Sequence, residues 1–337
     1  MSKPVLGGLS LGALGEVLKD YPAYRTRQIY DWICRGAEDF EGMSNLPLSL
    51  RRDLASSYEL YAGSPGAILK SADGTIKMIL HLEDQTAIEA VILKDRGGRL
   101  TACLSTQAGC AMGCVFCKTG TLGLDRNLWA PEIAGQFLRL RQIEPGISHV
   151  VIMGMGEPLQ NLEELKKALD YLMEGPGVSR RRITVSTCGI TTGILELIDS
   201  PVGLALSLTS AREDLRRRLM PITTQEPLEG LKAALTEYQK ATKRQITLEM
   251  VLLAGINTSA ADARAAATFA QGLDTVVNLI PWNPAPGLSF EGKPLETPGR
   301  QEILAFSQAL SGEGLRVFRR TERGRDIGGA CGQLGGA

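Results

Sequence analysis

The chain reads as an α/β protein: a partial (β/α)6, TIM-like barrel with a small N-terminal helical domain and a β-hairpin extension. Three observations predict this. From Leu100 onward, strand-like runs alternate with amphipathic helix-like stretches, the pattern of parallel βα units joined by right-handed crossovers. There are about six such units, too few to close an eight-stranded barrel. Before Leu100 the pattern differs: it is helical up to about Leu60, then strand-like on either side of Asp73-Gly74.

Residues 1–62 supply the helical part. RTRQIYDWICRG puts Ile29, Trp32 and Ile33 on one face. LPLSLRRDLASSY follows, with Ser49 placed to cap the helix start. Such a module packs against a larger domain or binds nucleic acid, and both readings stand. Cys34 reads as a core cysteine. Residues 63–99 form the extension. ILKSADGTIKMILHL sets the Asp73-Gly74 pair between alternating apolar runs, a hairpin signal, and TAIEAVILKD continues as a strand bearing Glu89. Residues 100–318 form the barrel, with strands in LTACLS, SHVVIM, RITVS, VGLALSL, ITLEMVLL and TVVNLIP. APEIAGQFLRLRQI and LEELKKALDYLM are among the helices between them. Residues 319–337 form a glycine-rich tail carrying Cys331, expected to be mobile enough to swing into and out of a barrel mouth.

Bulk properties narrow the function classes. The 337 residues allow one large domain and a small one; 44% are hydrophobic and 22% charged, ordinary for a soluble globular protein. No apolar run is long enough to span a bilayer, and the glycine-broken N-terminus lacks a signal-peptide pattern. A cytoplasmic protein without a membrane partner is therefore expected. Seven cysteines, an odd count, suit metal or redox duties in a reducing compartment rather than a disulfide framework. The net charge is zero, which gives no bulk attraction for nucleic acid. The arginines are nonetheless clustered: Arg180–Arg182; Arg212 with Arg216–Arg218; and Arg316, Arg319, Arg320, Arg323 and Arg325, interrupted only by Glu322. One such cluster alone is a solvated face; the third, just before the cysteine-bearing tail, is the candidate RNA contact.

Chemistry concentrates in GCAMGCVFC. Cys110, Cys114 and Cys117 follow a CxxxCxxC spacing. Iron–sulfur cubanes normally take four cysteines; three leave one iron open. Such an iron can bind the amino and carboxylate groups of S-adenosylmethionine and pass an electron to its sulfonium, giving a 5′-deoxyadenosyl radical. Zinc is the competing reading, but structural zinc wants four N/S ligands, and the chain has only two histidines and no second close cysteine pair. Other unusual residues fall at the ends of successive strands, where barrels gather their chemistry: Gly154–Pro158 (GMGEP), Ser186, Ser207 and Asn283. Glycine lets a backbone approach a ligand closely, and Glu157 could accept from a ligand ammonium. Each alone is ordinary; their shared placement points to one site.

These residues carry a resemblance. DGTIK, CLSTQAGCAMGCVFC, DRNL, GMGEPLQN, VSTCGI, LALSL, NLIPWNPAPG and ACGQL run nearly end to end, and the chain resembles the class A radical S-adenosylmethionine RNA methyltransferases, on its adenine-C2 branch. The resemblance implies a radical-SAM-type barrel and a 4Fe–4S cluster on Cys110, Cys114 and Cys117. S-adenosylmethionine would be held by Gly156, Glu157, Ser186, Ser207, Leu208, Thr209 and Asn283, with two molecules consumed per methylation. Cys331 would carry the methyl group as S-methylcysteine, Cys103 would form a transient disulfide with it, and Glu89 would accept a proton. The implied partners are 23S rRNA, with a tRNA anticodon-loop adenosine as a second target, a flavodoxin-like or other low-potential electron donor, and a thiol reductant. The alternative within the family is the Cfr type, which methylates adenine C8. One departure is visible: the family reads Ser-Leu-His where this chain reads Ser207-Leu208-Thr209. Two further alternatives are a radical enzyme acting on a small molecule, which would need neither arginine clusters nor a tail cysteine, and a non-catalytic RNA-binding protein with a structural metal.

Overall fold

The computed structural model of the protein describes residues 3–336. Three helices open the chain: α1 (Leu11–Val17), α2 (Ala23–Cys34) and α3 (Leu48–Ser57). Ile29 and Ile33 are buried and Trp32 half-buried, as their spacing predicts. Ser49 does not cap α3. The helix begins ahead of it, because Pro47, at φ −56°, already turns the chain into Leu48.

Next come β1 (Ser64–Lys70), β2 (Ile76–His81) and β3 (Ala87–Lys94), an antiparallel meander. The Asp73-Gly74 turn is longer than a two-residue hairpin. Gly74 sits at φ +85°, its N–H donates to Ser71 O at 3.1 Å, and Asp73 Oδ1 accepts from Thr75 N–H at 2.8 Å.

The barrel follows as β4 (Leu100–Leu104), a hairpin of β5 (Gln107–Cys110) and β6 (Gly123–Asn127), α4 (Ala130–Ile143), β7 (His149–Ile152), α5 (Leu162–Glu174), β8 (Ile183–Thr187), α6 (Thr191–Glu196), β9 (Gly203–Ser207), α7 (Glu213–Leu219), α8 (Leu228–Thr242), β10 (Ile246–Leu252), α9 (Ala260–Ala270), β11 (Thr275–Pro281), a minor hairpin of β12 (Ser289–Phe290) and β13 (Lys293–Pro294), α10 (Arg300–Gly312) and β14 (Val317–Arg319). The main sheet runs β1-β2-β3-β4-β7-β8-β9-β10-β11-β14. The six expected barrel strands are all present, parallel and adjacent in chain order. The extension is no separate layer: β3 pairs antiparallel with β4 and continues the barrel sheet. A seventh parallel strand, β14, pairs with β11; its sequence reads only as part of a basic cluster.

Alternate strand residues such as Ala102, Leu104, Val150, Val185, Leu248 and Val277 are fully buried against the helices, each contributing about 25 cal/mol per Å2 of apolar surface removed from water. The N-terminal helices share this core. The Tyr30 and Tyr171 rings meet edge to face at 6.1 Å, and Cys34 Sγ lies 3.7 Å from Tyr171 Oη, so Cys34 is the core cysteine expected. Among the described residues no helix is long and apolar enough to cross a membrane.

The tail is docked rather than loose. On one side Gly324 N–H donates to Asp73 Oδ2 (2.8 Å), Ser71 Oγ pairs with Asp326 Oδ1 (2.6 Å), Lys77 Nζ donates to Gly328 O (3.3 Å) and Gly335 N–H to Glu89 Oε2 (3.1 Å). On the other, Lys118 N–H donates to Gly332 O (2.8 Å) and Thr119 Oγ1 to Leu334 O (2.7 Å). Glycine, unshielded by a side chain, offers its backbone to these partners, so the composition that suggests mobility here permits a laced contact.

Candidate active site

The three closely spaced cysteines sit on the loop that leaves β5. β5 is held by β6, with Cys110 opposite Gly123. The loop packs on a second, smaller apolar cluster that includes Met112, Phe116, Leu219 and Trp282, and Trp282 Nε1 donates to Phe116 O at 2.9 Å. All three cysteines line one cavity of about 140 Å3. Burial pushes the Cys110 thiol up to about 11. Burial also holds the Cys114 thiol well above its ordinary value; negative charge at Cys117 and Cys110 adds to this, and Arg216 partly counters it. These thiols would ionise only against a strong positive charge, as a metal centre provides. Among the described residues no three His, Cys, Asp or Glu side chains converge on one metal-ion position. Thiols spread around a shared cavity instead suit a polynuclear cluster, which takes its thiolates on separate irons.

The opposite wall comes from the strand ends. Gly154 and Gly156 are required by packing. A Cβ on Gly154 would lie 2.5 Å from Ser105 Oγ, and one on Gly156, at φ +101°, 2.5 Å from Gln107 Cβ. Glu157 is buried, and its carboxylate accepts from Thr187 Oγ1 (2.7 Å), Leu159 N–H (3.0 Å) and Cys188 N–H (2.8 Å). Burial raises its pKa against these bonds. Three donors leave a carboxylate with one of about four acceptor sites free, enough for a single ligand ammonium. Ser186, Ser207 and Asn283 line the same cavity. Asn283 Nδ2 donates to Cys331 O at 3.0 Å, while its buried Oδ1 has no donor among the described residues; a polar ligand would satisfy it. The cavity therefore fits both a cluster and an amino-acid-bearing cofactor.

Leu208 and Thr209 lie behind this wall rather than in it. Thr209 is at φ +54°, its N–H donates to Glu249 O (3.0 Å) and its carbonyl accepts from Asn257 Nδ2 (2.9 Å). The departure at Thr209 thus changes buried packing, not the cavity surface.

A smaller adjoining cavity, about 50 Å3, is lined by Cys103, Cys331, Met153, Asn283 and Arg320. It brings together the two cysteines that sequence places 228 residues apart (331 − 103). No disulfide joins them: all seven cysteines are free. Burial pushes Cys103 up to about 11, opposed by Arg320. Cys331 keeps an exposed edge, yet the crowded wall pushes its thiol up to about 12, again opposed by Arg320. Glu89 lines neither cavity. It is buried on β3, ion-paired with Lys77 Nζ at 3.3 Å, and in contact with Gly335 of the tail.

Several residues in and behind the wall escape the sequence pattern. Glu249, in the middle of an apolar strand, accepts from Ser186 Oγ at 2.9 Å and faces Arg320 NH1 at 3.6 Å. Gln107 Oε1 accepts from Glu157 N–H at 2.7 Å. Arg216, part of the second arginine cluster, is fully buried; it donates to Cys188 O (2.6 Å), Ser207 O (3.3 Å) and Thr223 Oγ1. It braces the site from beneath and offers nothing to solvent. Cys188 is the small buried residue its sequence context suggests.

Comparison with known proteins gives the family. Residues 104–264 match the Radical SAM superfamily. The probable dual-specificity RNA methyltransferase RlmN of Treponema pallidum (strain Nichols) is 42% identical over 334 residues, covering 98% of this chain and 97% of the relative. That of Moorella thermoacetica is 44% identical, covering 92% and 90%. A crystal structure of a radical SAM methyltransferase from Sphaerobacter thermophilus superposes with a TM-score of 0.92 at 40% identity, over 98% of this chain and 99% of that one. The chain belongs to the RlmN family of radical SAM methyltransferases, enzymes that bind S-adenosylmethionine and depend on an iron–sulfur centre.

Proposed function

We propose that the protein methylates C2 of an adenosine in the peptidyl-transferase loop of 23S rRNA, and an adenosine in a tRNA anticodon loop, through a methylated Cys331. The observation that carries this is the shared wall: Cys331 and Asn283 line both the three-cysteine cavity and the cavity containing Cys103. A methyl acceptor so placed can face the cofactor on one side and its resolving thiol on the other.

Cys110, Cys114 and Cys117 would hold a 4Fe–4S cluster with one iron open to S-adenosylmethionine. When bound, this pair supplies a 5′-deoxyadenosyl radical, chemistry suited to an adenine C2 that is too poor a nucleophile to attack a sulfonium. Gly156, Glu157, Ser186, Ser207 and Asn283 orient the cofactor's amino-acid and ribose groups, with Leu208 and Thr209 supporting Ser207 from behind. Cys331 would take its methyl group from one of two S-adenosylmethionine molecules used per turnover, its thiol losing a proton as S-adenosylhomocysteine leaves. That methyl would then give one hydrogen to the 5′-deoxyadenosyl radical and bond to C2, which loses its proton while one electron returns to the iron–sulfur centre. Once the methyl carbon is bonded to the base, Cys103 attacks the Cys331 sulfur. The C–S bond breaks with its electron pair going to carbon, which takes up a proton to complete the methyl group, and the resulting disulfide is reduced by an external thiol. A low-potential donor of the flavodoxin class supplies electrons. Glu89 takes up the C2 proton; because it lies outside both cavities, ion-paired with Lys77 and bonded to Gly335, this step requires the tail contact to open and the carboxylate to reach the cavity. The adenine must be unpaired or extruded to reach the site.

The test is anaerobic cluster reconstitution of wild type and Cys331→Ala, then mass spectrometry of rRNA incubated with S-adenosylmethionine and reductant. Wild type should yield 2-methyladenosine and the variant none. An 8-methyladenosine product would reassign the protein to the Cfr type, and no methylated base at all would sink the reading.

A further inference from the structure

The third arginine cluster and the β3–β4 turn, far apart in sequence, meet at the side of the barrel. Two adjoining grooves of about 420 and 430 Å3 lie there, each large enough for a nucleotide. Arg96, Arg319 and Arg320 line the first; Arg96, Arg99, Arg320 and Arg323 line the second. The nearby carboxylates are already matched: Asp95 to Arg99 at 3.0 Å, Glu249 to Arg320 at 3.6 Å, Glu322 to Arg325 at 3.5 Å. Among the described residues, Arg96, Arg319 and Arg323 are left with no carboxylate partner within 4 Å. The second cluster differs: Arg212, Arg217 and Arg218 pair with Asp214, Glu213 and Glu291.

The grooves also lead inward. Leu93, Arg320, Thr321 and Arg323 line both the second groove and the Cys103–Cys331 cavity, and that cavity shares Cys331 with the cofactor cavity. A protein near neutral overall thus gathers unmatched cations at the outer end of a passage to its reactive cysteines. Phosphates positioned on guanidinium groups fix a nucleic acid without reading its sequence.

We propose that this side opening is the RNA entrance: Arg96, Arg319 and Arg323 hold backbone phosphates on either side of the target nucleotide, whose base passes inward along Leu93 and Arg320 to the Cys103–Cys331 cavity. The inference rests on the RNA-methylating reading above and adds to it where the strand docks and which residues hold it. An acidic protein would match the charge but has no use for a passage leading inward.

The test measures affinity of the reconstituted full-length enzyme for a labelled RNA hairpin with an unpaired adenine, by fluorescence anisotropy across a salt series. The Arg96→Gln/Arg319→Gln/Arg323→Gln variant should bind about 100-fold more weakly, with a log–log salt slope shallower by about 2. Arg217→Gln should bind within about twofold of wild type. If thermal melting shows the triple variant unfolded, Arg96→Gln alone, on an exposed turn, decides: about fivefold weaker, with a slope change of about 0.7. Wild-type affinity and slope in these variants would overturn the entrance while leaving the methyltransferase reading intact. Unchanged RNA affinity with slowed reduction of the iron–sulfur centre by an acidic protein donor would give the groove to that donor. A wild-type enzyme that binds no RNA would overturn both readings.

Discussion

Cys103 keeps its proton in the folded chain because burial on β4 denies its thiolate water, and Arg320 only partly offsets this. Its folded pKa, about 11, lies above the unfolded value near 8.5. A raised thiol pKa favours folding below the unfolded value, and the contribution is lost as pH climbs through 11. Iodoacetamide at pH 8 should therefore modify Cys103 about a hundredfold more slowly in the native, RNA-free enzyme than in the urea-unfolded chain, with a native midpoint near pH 11; peptide mapping across pH checks both, and equal rates would show an ionised thiol instead. Arg216 is the second residue whose environment decides its role. Burial lowers its pKa, while Cys188, Cys114 and Glu213 raise it, and its guanidinium satisfies two buried carbonyls and a hydroxyl. Arg216→Ala leaves those acceptors unpaired over a cavity, so a loss of about 3–5 kcal/mol is expected in chemical denaturation. A loss under 1 kcal/mol would mean the site does not depend on this brace.

The β1–β2 hairpin acts as more than an extension of the barrel sheet. Its turn presents Asp73, one oxygen accepting from Thr75 within the turn and the other from Gly324 of the tail, while Lys77 and Glu89 on β2 and β3 hold Gly328 and Gly335. Asp73→Ala removes the first of these links. Amide exchange at Gly324–Gly329 should quicken about fivefold, the loss of roughly 1 kcal/mol of local protection, and RNA methylation should fall while the melting temperature stays within a few degrees. Exchange unchanged from wild type would show that the tail is held without Asp73. The β5–β6 hairpin has the complementary task, fixing the cysteine loop against which Lys118 and Thr119 receive the tail's other edge.

Across the whole molecule, the regular repeat was readable and the exceptions were not. Six apolar strand runs separated by amphipathic helices predict the parallel sheet, and residues at their ends predict the cofactor wall, because periodicity and strand polarity are local properties. β14 was hidden: Val317–Arg319 is only three residues long and is embedded in a run of arginines that reads as a solvated basic cluster. Glu249 lies unannounced in ITLEMVLL, and Arg216 in EDLRRRL is indistinguishable from its solvated neighbours until the fold buries it. Ser49 falls inside α3 because Pro47 starts the helix, and no side chain caps it. The docked tail is the largest surprise, since glycine content alone does not say whether a backbone finds partners. Its attachment consists of hydrogen bonds at the barrel's edge and the two buried side chains Ala330 and Leu334, whereas the sheet and helices rest on the bulk of the apolar core. The two are therefore separable under selection: a screen for heat resistance or expression would reward the core and ignore the segment carrying Cys331. Lineages evolved for robustness alone could drift to well-folded, catalytically silent proteins.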